Sequence, residues 1–206
     1  RGLWAGRLGV LGKLLAGAGD PDPAAVPRAG RLGDRLRRRY PAEPTELRPT
    51  ALGNTLAAME DSAGSQYGYD AVVAWPRLYP VLDPATRVLV DDRRTALDAC
   101  ARLCTAFAVA AVVSAGLLAD DGPWLTLALA PSGLAWLSYV SAVRSAEAYA
   151  VAVEVAFDLN RFALYDALRL PQPENATAER ELNRRLCRQW RQGVPADVTY
   201  RSFGSP

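Results

Sequence analysis

Residues 103–143 read LCTAFAVAAVVSAGLLADDGPWLTLALAPSGLAWLSYVSAV, and their reading decides the fold. Residues 103–119 form 17 positions without a charge, and residues 124–143 form 20 more. About 20 apolar residues in a helix cross the hydrocarbon core of a bilayer, and roughly 17 is the lower limit. Between the two runs lie only Asp120, Asp121, Gly122 and Pro123, the composition of a tight turn. The pattern predicts a transmembrane helical hairpin; the two-helix core of a soluble all-α protein is the alternative. Pro131 and Gly133 fall inside the second run and predict a kink near mid-span.

Both helices are expected to continue beyond the uncharged runs. Asp83-Pro84 is a strong start signal, an N-cap carboxylate followed by proline at the first helical position. Nothing breaks the helix from there to Ala119 except Gly116. The second helix has no breaker from Arg144 to Leu170. Its apolar surface is wide, and Glu147, Glu154, Asp158 and Arg161 form a stripe spaced 7, 4 and 3 residues apart. Such a surface needs a cover, and the charged half of the preceding helix, residues 84–102, is the expected one. Counting from the turn brings Asp98 near Arg144, and Arg102 near Glu147, as candidate ion pairs at the inner boundary.

The arginines set the expected orientation. Arg87, Arg93, Arg94 and Arg102 precede the first span, and Arg144, Arg161 and Arg169 follow the second. The turn carries only aspartates. The excess of cations on the flanks places both flanks in the cytoplasm and residues 120–123 outside. Trp124 then suits the outer interface, and Tyr139 lies nearer the inner one.

Before the hairpin the chain is more broken. Residues 1–18 have an amphipathic helical spacing, suited to a membrane interface or to a protein surface. Arg1 rather than Met opens the chain, which leaves room for a signal or span upstream. Residues 19–50 read as a linker and a basic segment with Arg31, Arg35, Arg37, Arg38 and Arg39. Residues 51–82 read as short cytosolic helices, the first capped by Thr50 and the second by Asp70. They end in Trp75-Pro76-Arg77-Leu78-Tyr79-Pro80. Pro76 is expected to bend its helix. Trp75 and Tyr79 suit a membrane interface, and Arg77 is within reach of a lipid phosphate or a carboxylate of the 144–166 stripe. The segment reads as a rigid elbow on the inner membrane surface. After residues 83–170, the hairpin with its extensions, residues 171–206 read as a basic amphipathic helix and tail. Asn175 or Thr177 is its cap, and Leu182, Leu186 and Trp190 are its apolar stripe. It suits a membrane surface or a partner, or equally a helix docked on the cytosolic domain with its arginines solvated.

Composition narrows the chemistry. The chain has no histidine, which removes the commonest general base and metal ligand. Net charge is +2, so no global field favours nucleic acid or an acidic partner. A single lysine, Lys13, stands among 24 basic residues, a bias that suggests a GC-rich bacterial genome. Cys100 and Cys104 share one helix face, and only Cys187 remains as a third thiol, so packing is the better reading and no metal or cofactor site is expected. Glu154 and Asp158 are the best carboxylate pair for acid–base work, with no third group beside them; a solvated or ion-paired stripe is the stronger reading.

The words LRPTALGN, QYGYDAVVAWPRLYPVL and AFDLNRFALYDAL, placed around a two-span hairpin, resemble actinobacterial-type multi-pass membrane proteins over roughly residues 36–192. The resemblance implies an inner-membrane protein with cytosolic helices and no known reaction. The expected class is therefore all-α, an integral membrane hairpin whose helices extend into a cytosolic helical domain. The expected partners are the bilayer, anionic headgroups through the arginine clusters, and a protein partner or a second copy. A scaffold or interaction subunit without catalytic activity is the leading function. An oligomeric two-span effector or small channel is the alternative, since Ala106, Ala110, Ser114, Ala128, Ser132 and Ala135 permit close helix approach. An enzyme built on Glu154, Asp158 and Arg161 ranks third.

Overall fold

A computed structural model describes Gly33 and residues 36–201, apart from Asp121, Asp197 and Thr199. The amphipathic segment 1–18 and the linker 19–30 lie outside the described residues, as do Arg31 and Arg35. The chain divides into two units between Arg37 and Arg38, and every element below belongs to the second. Among the described residues the regular structure is helical only.

Among the described residues, five α-helices have both ends defined: α1 (Ala51–Ser62), α2 (Ala71–Leu78), α3 (Pro84–Leu117), α4 (Leu129–Ala167) and α5 (Ala176–Gln192). The expected caps form. The Thr50 hydroxyl accepts from the amide of Gly53, and the Asp70 carboxylate from that of Val72. Asp83 accepts from the amides of Ala85 and Thr86, with Pro84 at the first helical position. Those hydrogen bonds from Thr86 hold the Asp83 carboxyl below the ordinary carboxylate range. At the head of α5 it is Asn175 that caps, taking the amides of Thr177 and Ala178.

Helices α3 and α4 form the predicted antiparallel pair. Along the side of α4 that meets α3, Ala128 at the N-cap and then Pro131, Ala135, Ser138, Ala142, Ser145 and Tyr149 are buried or half-buried, in steps of three and four. On α3 the matching series is Leu97, Cys100, Cys104, Phe107, Ala111 and Ser114, ending in Leu118 at the C-cap, with the same steps. Steps of three and four are the spacing of a coiled-coil seam. Most of its residues are small, which lets the backbones approach closely. Cys100 Sγ lies 3.8 Å from Ser145 Oγ and fixes the register.

The second run is not α-helical from Trp124. Residues Gly122–Ala128 form a 3-10 helix that packs on α3, and the α-helix begins at Leu129. Pro131 is therefore in the first turn of α4, where a missing amide costs no α-helical hydrogen bond. The expected mid-span kink is replaced by a change of helix type near the tip.

Below the uncharged segment, α4 becomes the central element of a bundle. Its core gathers Phe157, Leu164 and Tyr165 from α4, Tyr69, Leu78 and Leu82 from the α2 region, Val90 from α3, and Leu186 and Cys187 from α5. The cover of α4 is thus shared by α1, α2 and α3, and by α5 through the Tyr165–Asn183 and Arg161–Glu179 contacts. The first half of α3, the cover expected from the sequence, is only one of four.

Two glycines make the turn between α1 and α2 fit against this core. Gly64 has φ +70°, and a Cβ there would meet the Phe157 ring at 2.9 Å. Gly68 has φ +81°, and a Cβ there would lie 2.6 Å from the Arg180 carbonyl oxygen on α5. Both backbone conformation and space require glycine. Gly68→Ala is expected to destabilise the bundle by about 2 kcal/mol or more, and Gly116→Ala, which meets open space, to leave stability equal or higher. Chemical denaturation of the detergent-solubilised variants, followed by circular dichroism, checks both.

Candidate functional site

The charged stripe on α4 is the feature that the bundle is built around. Each member holds a different segment. Glu147 accepts from Arg39 Nε. Glu154 accepts from the Ser62 hydroxyl at 3.1 Å, at the end of α1. Asp158 accepts from Gln66 Nε2 and from the Tyr67 hydroxyl, both at 2.9 Å. Arg161 pairs with Glu179 of α5 at 3.1 Å and lies over the Tyr67 ring at 4.2 Å. It also donates to the Asp158 carbonyl. The stripe is a rail to which residues 39–67 and the head of α5 are fastened in chain order. The acid–base pair expected as a third choice, Glu154 with Asp158, is engaged in these contacts.

Further in, α5 attaches through a polar chain. Asn183 is fully buried; its Oδ1 accepts from the Tyr165 hydroxyl and its Nδ2 donates to the Tyr67 carbonyl, each at 2.8 Å. Burial pushes the Tyr165 hydroxyl and the Cys187 thiol up from their ordinary ranges. Cys187 Sγ accepts from the Asp70 amide, and the Asp70 carboxylate pairs with Arg191. The buried face of α5 is therefore Glu179, Asn183, Leu186 and Cys187, with Leu182 and Trp190 half-buried. The predicted stripe lies on that side: Leu186 is in the core, and Leu182 and Trp190 pack against it. What the stripe left out is the polar pair Glu179 and Asn183, four apart in line with Leu186 and Trp190.

The Trp-Pro-Arg-Leu segment lies elsewhere than expected. Trp75 rests on Phe157 and on Tyr79, with ring centroids 6.0 and 5.9 Å apart. Phe157 is about four turns, or roughly 20 Å, along α4 from Val143, the last residue of the uncharged run. The segment is a wall of the bundle rather than an elbow at the uncharged boundary. Arg77 reaches neither a carboxylate of the stripe nor that boundary. It lies over the Trp190 ring at 4.6 Å, and its Nη1 donates to the Val73 carbonyl at 2.7 Å. Pro76 sits inside α2, and the helix passes through it. Arg77 thereby serves a carbonyl next to the one that loses its amide partner. The Tyr79 hydroxyl donates to Asp91 at 2.8 Å, and Arg87 donates to the carbonyls of Tyr79 and Pro80.

At the end of the uncharged segment the expected ion pairs do not close. Among the described residues, Asp98 makes no ion pair with Arg144, and Arg102 makes none with Glu147, whose carboxylate is taken by Arg39. Asp98, Arg102 and Arg144 are all exposed. Sequence reasoning missed the contact that ties the bundle to this level: the Tyr139 hydroxyl accepts from the amides of Ala51 and Leu52, at 3.0 and 3.4 Å. It supplies the first turn of α1 with a second cap beside Thr50.

Beyond this level the surface changes character. Val112 is 73% exposed, Leu117 77%, Leu129 70% and Trp136 68%. Trp124 is exposed in the 3-10 turn at the tip. Both hairpin helices are long and apolar enough to cross a membrane. Comparison of the chain with family models, curated proteins and solved structures gives no match. The site is therefore read from its geometry.

Trp75→Ala is expected to lower bundle stability by about 2–3 kcal/mol and to leave the partition of the chain into vesicles unchanged. Thermal melting and vesicle flotation of the same variant check the two halves. A role of Trp75 at a lipid surface would move the flotation instead.

Proposed function

We propose that the chain is a two-span membrane protein whose hairpin anchors a helical bundle, and that the bundle acts as an interaction module on the cytoplasmic side. The observation that carries this reading is the position of the exposed apolar side chains. Outside the hairpin tip, exposed surface is rich in charge; between residues 103 and 143 it is aliphatic and aromatic on both helices. A contiguous apolar surface of that extent calls for a lipid or protein cover, and its termination by charges at one level on both helices favours lipid. The 3-10 turn supports the same reading: at about 2.0 Å per residue it carries the second run further than an α-helix of equal length.

The orientation follows from the charges that bound the segment. Arg102 and Arg144 are the last charged residues on α3 and α4, and Asp120 stands at the tip. Cations at the bundle end favour a cytoplasmic bundle. The interaction role is supported by α5, whose outward residues Arg184 and Arg188 are exposed and make no ion pair among the described residues. The contact of Tyr165 with Asn183 puts α5 about 30 Å along α4 from the uncharged segment, several Debye lengths away at physiological salt. Its arginines suit an acidic protein partner there rather than the bilayer that carries the hairpin.

Single cysteines test the arrangement in a background with Cys100, Cys104 and Cys187 replaced by serine. In intact cells, an impermeant maleimide is expected to label Asp120→Cys, and to label Arg188→Cys only after permeabilisation. Equal labelling of both before permeabilisation, or recovery of the chain in the soluble fraction, contradicts the proposal.

A further inference from the structure

We propose that the outer face of α3 holds one anionic phospholipid, its phosphate on Arg102 and one acyl chain lying along Thr105, Ala106 and Val109. The inference rests on the membrane reading above and adds a defined ligand site to it.

The first observation is shape. Ala101, Arg102, Thr105, Ala106 and Val109 line a shallow, mostly apolar depression. All five belong to α3, and the last four are exposed, so the depression faces away from the seam with α4. Its floor is low because Ala101 and Ala106 are small. Thr105 adds no free polar group, since its hydroxyl donates to the Ala101 carbonyl at 3.0 Å. The hydroxyl is used inside the helix, which leaves the face apolar to within one side chain of Arg102.

The second observation is charge. Arg102 is the last charged residue before 17 uncharged ones. Among the described residues it has no ion-pair partner; Asp98, one turn back, does not close on it. The Cys100–Ser145 contact puts it level with the end of the uncharged run on α4. In the membrane reading that is the depth of the inner headgroups. A guanidinium that begins an apolar depression matches an amphiphile with an anionic head and an aliphatic chain. Its planar fork also holds a phosphate through two hydrogen bonds.

The third observation separates Arg102 from the bundle arginines; Arg144 stands level with it on α4 but does not line the depression. Arg77 stacks on Trp190, Arg161 pairs with Glu179, and Arg191 with Asp70. Arg184 and Arg188 lie beyond the electrostatic reach of the same lipids. The arginine cluster that the sequence offered on α5 is in the wrong place for this ligand, and the isolated Arg102 is in the right one.

Native mass spectrometry of the full chain tests the proposal, after equilibration with equal amounts of phosphatidylglycerol and phosphatidylcholine in mild detergent. The wild type is expected to retain phosphatidylglycerol in preference. Arg102→Gln should lower that retention about fivefold, as expected for one cation at a membrane surface. Ala106→Trp should lower it similarly by filling the depression while keeping the charge. Arg184→Gln with Arg188→Gln should bind as the wild type does. Millimolar inorganic phosphate should not displace the lipid, because the chain contributes to binding. Equal retention of the two lipids, full retention by Arg102→Gln, displacement by phosphate, or loss of a dimer instead of a lipid in Ala106→Trp would each overturn the site. Recovery of the wild type in the soluble fraction of cells would overturn the membrane reading itself, whereas a membrane-resident chain without lipid preference removes only the site.

Discussion

The packing of α3 on α4 is the constraint from which the rest of the structure follows. One seam, stepped by three and four residues, runs from Ala128 at the tip to Tyr149 in the bundle. Its small side chains hold the two backbones close along that length. Everything else is attached to this pair. The start of α3 is fastened by the Asp83 amide, which donates to Oδ1 of buried Asn160 at 2.9 Å. The start of α1 is fastened to Tyr139, and the stripe from Glu147 to Arg161 holds the intervening segment and α5.

The same pair meets two different surroundings. In the bundle its outer positions are covered by aromatic and aliphatic side chains of α1, α2 and α5, and the remaining surface carries charge. Toward the tip the outer positions are themselves apolar and stay uncovered among the described residues. The seam does not change across that transition; only the outward residues do. Both helices run unbroken across that transition.

Much of this architecture was legible in the sequence. The uncharged runs, the tight turn and the caps at Thr50, Asp70, Asp83 and Asn175 are local signals, and local signals suffice for helix limits. Where contacts are long-range, the sequence misled. Trp75 and Arg77 have the composition of an interfacial elbow, yet they meet Phe157 and Trp190, which are distant in the chain. Amphipathic rings and guanidinium groups suit a wet bundle surface as well as a headgroup layer, so residue type alone does not separate the two. The ion pairs expected at Asp98 and Glu147 failed for a related reason. Counting along two helices gave the right level, but it ignored that Arg39 arrives at Glu147 from another segment. The apolar stripe of α5 was legible, but the polar Asn183 buried beside it was not.

The central claim is that lipid covers the hairpin from residue 103 to residue 143. Spin labels attached at Val112→Cys, Leu134→Cys and Val88→Cys, in bilayers and with the native cysteines replaced, test it most directly. All three positions are exposed in the structure. Relaxation by oxygen and by a water-soluble nickel complex separates hydrocarbon from solvent. The account predicts strong oxygen and weak nickel relaxation at Val112→Cys and Leu134→Cys, and the reverse at Val88→Cys. Nickel relaxation as strong at Val112→Cys as at Val88→Cys would contradict it.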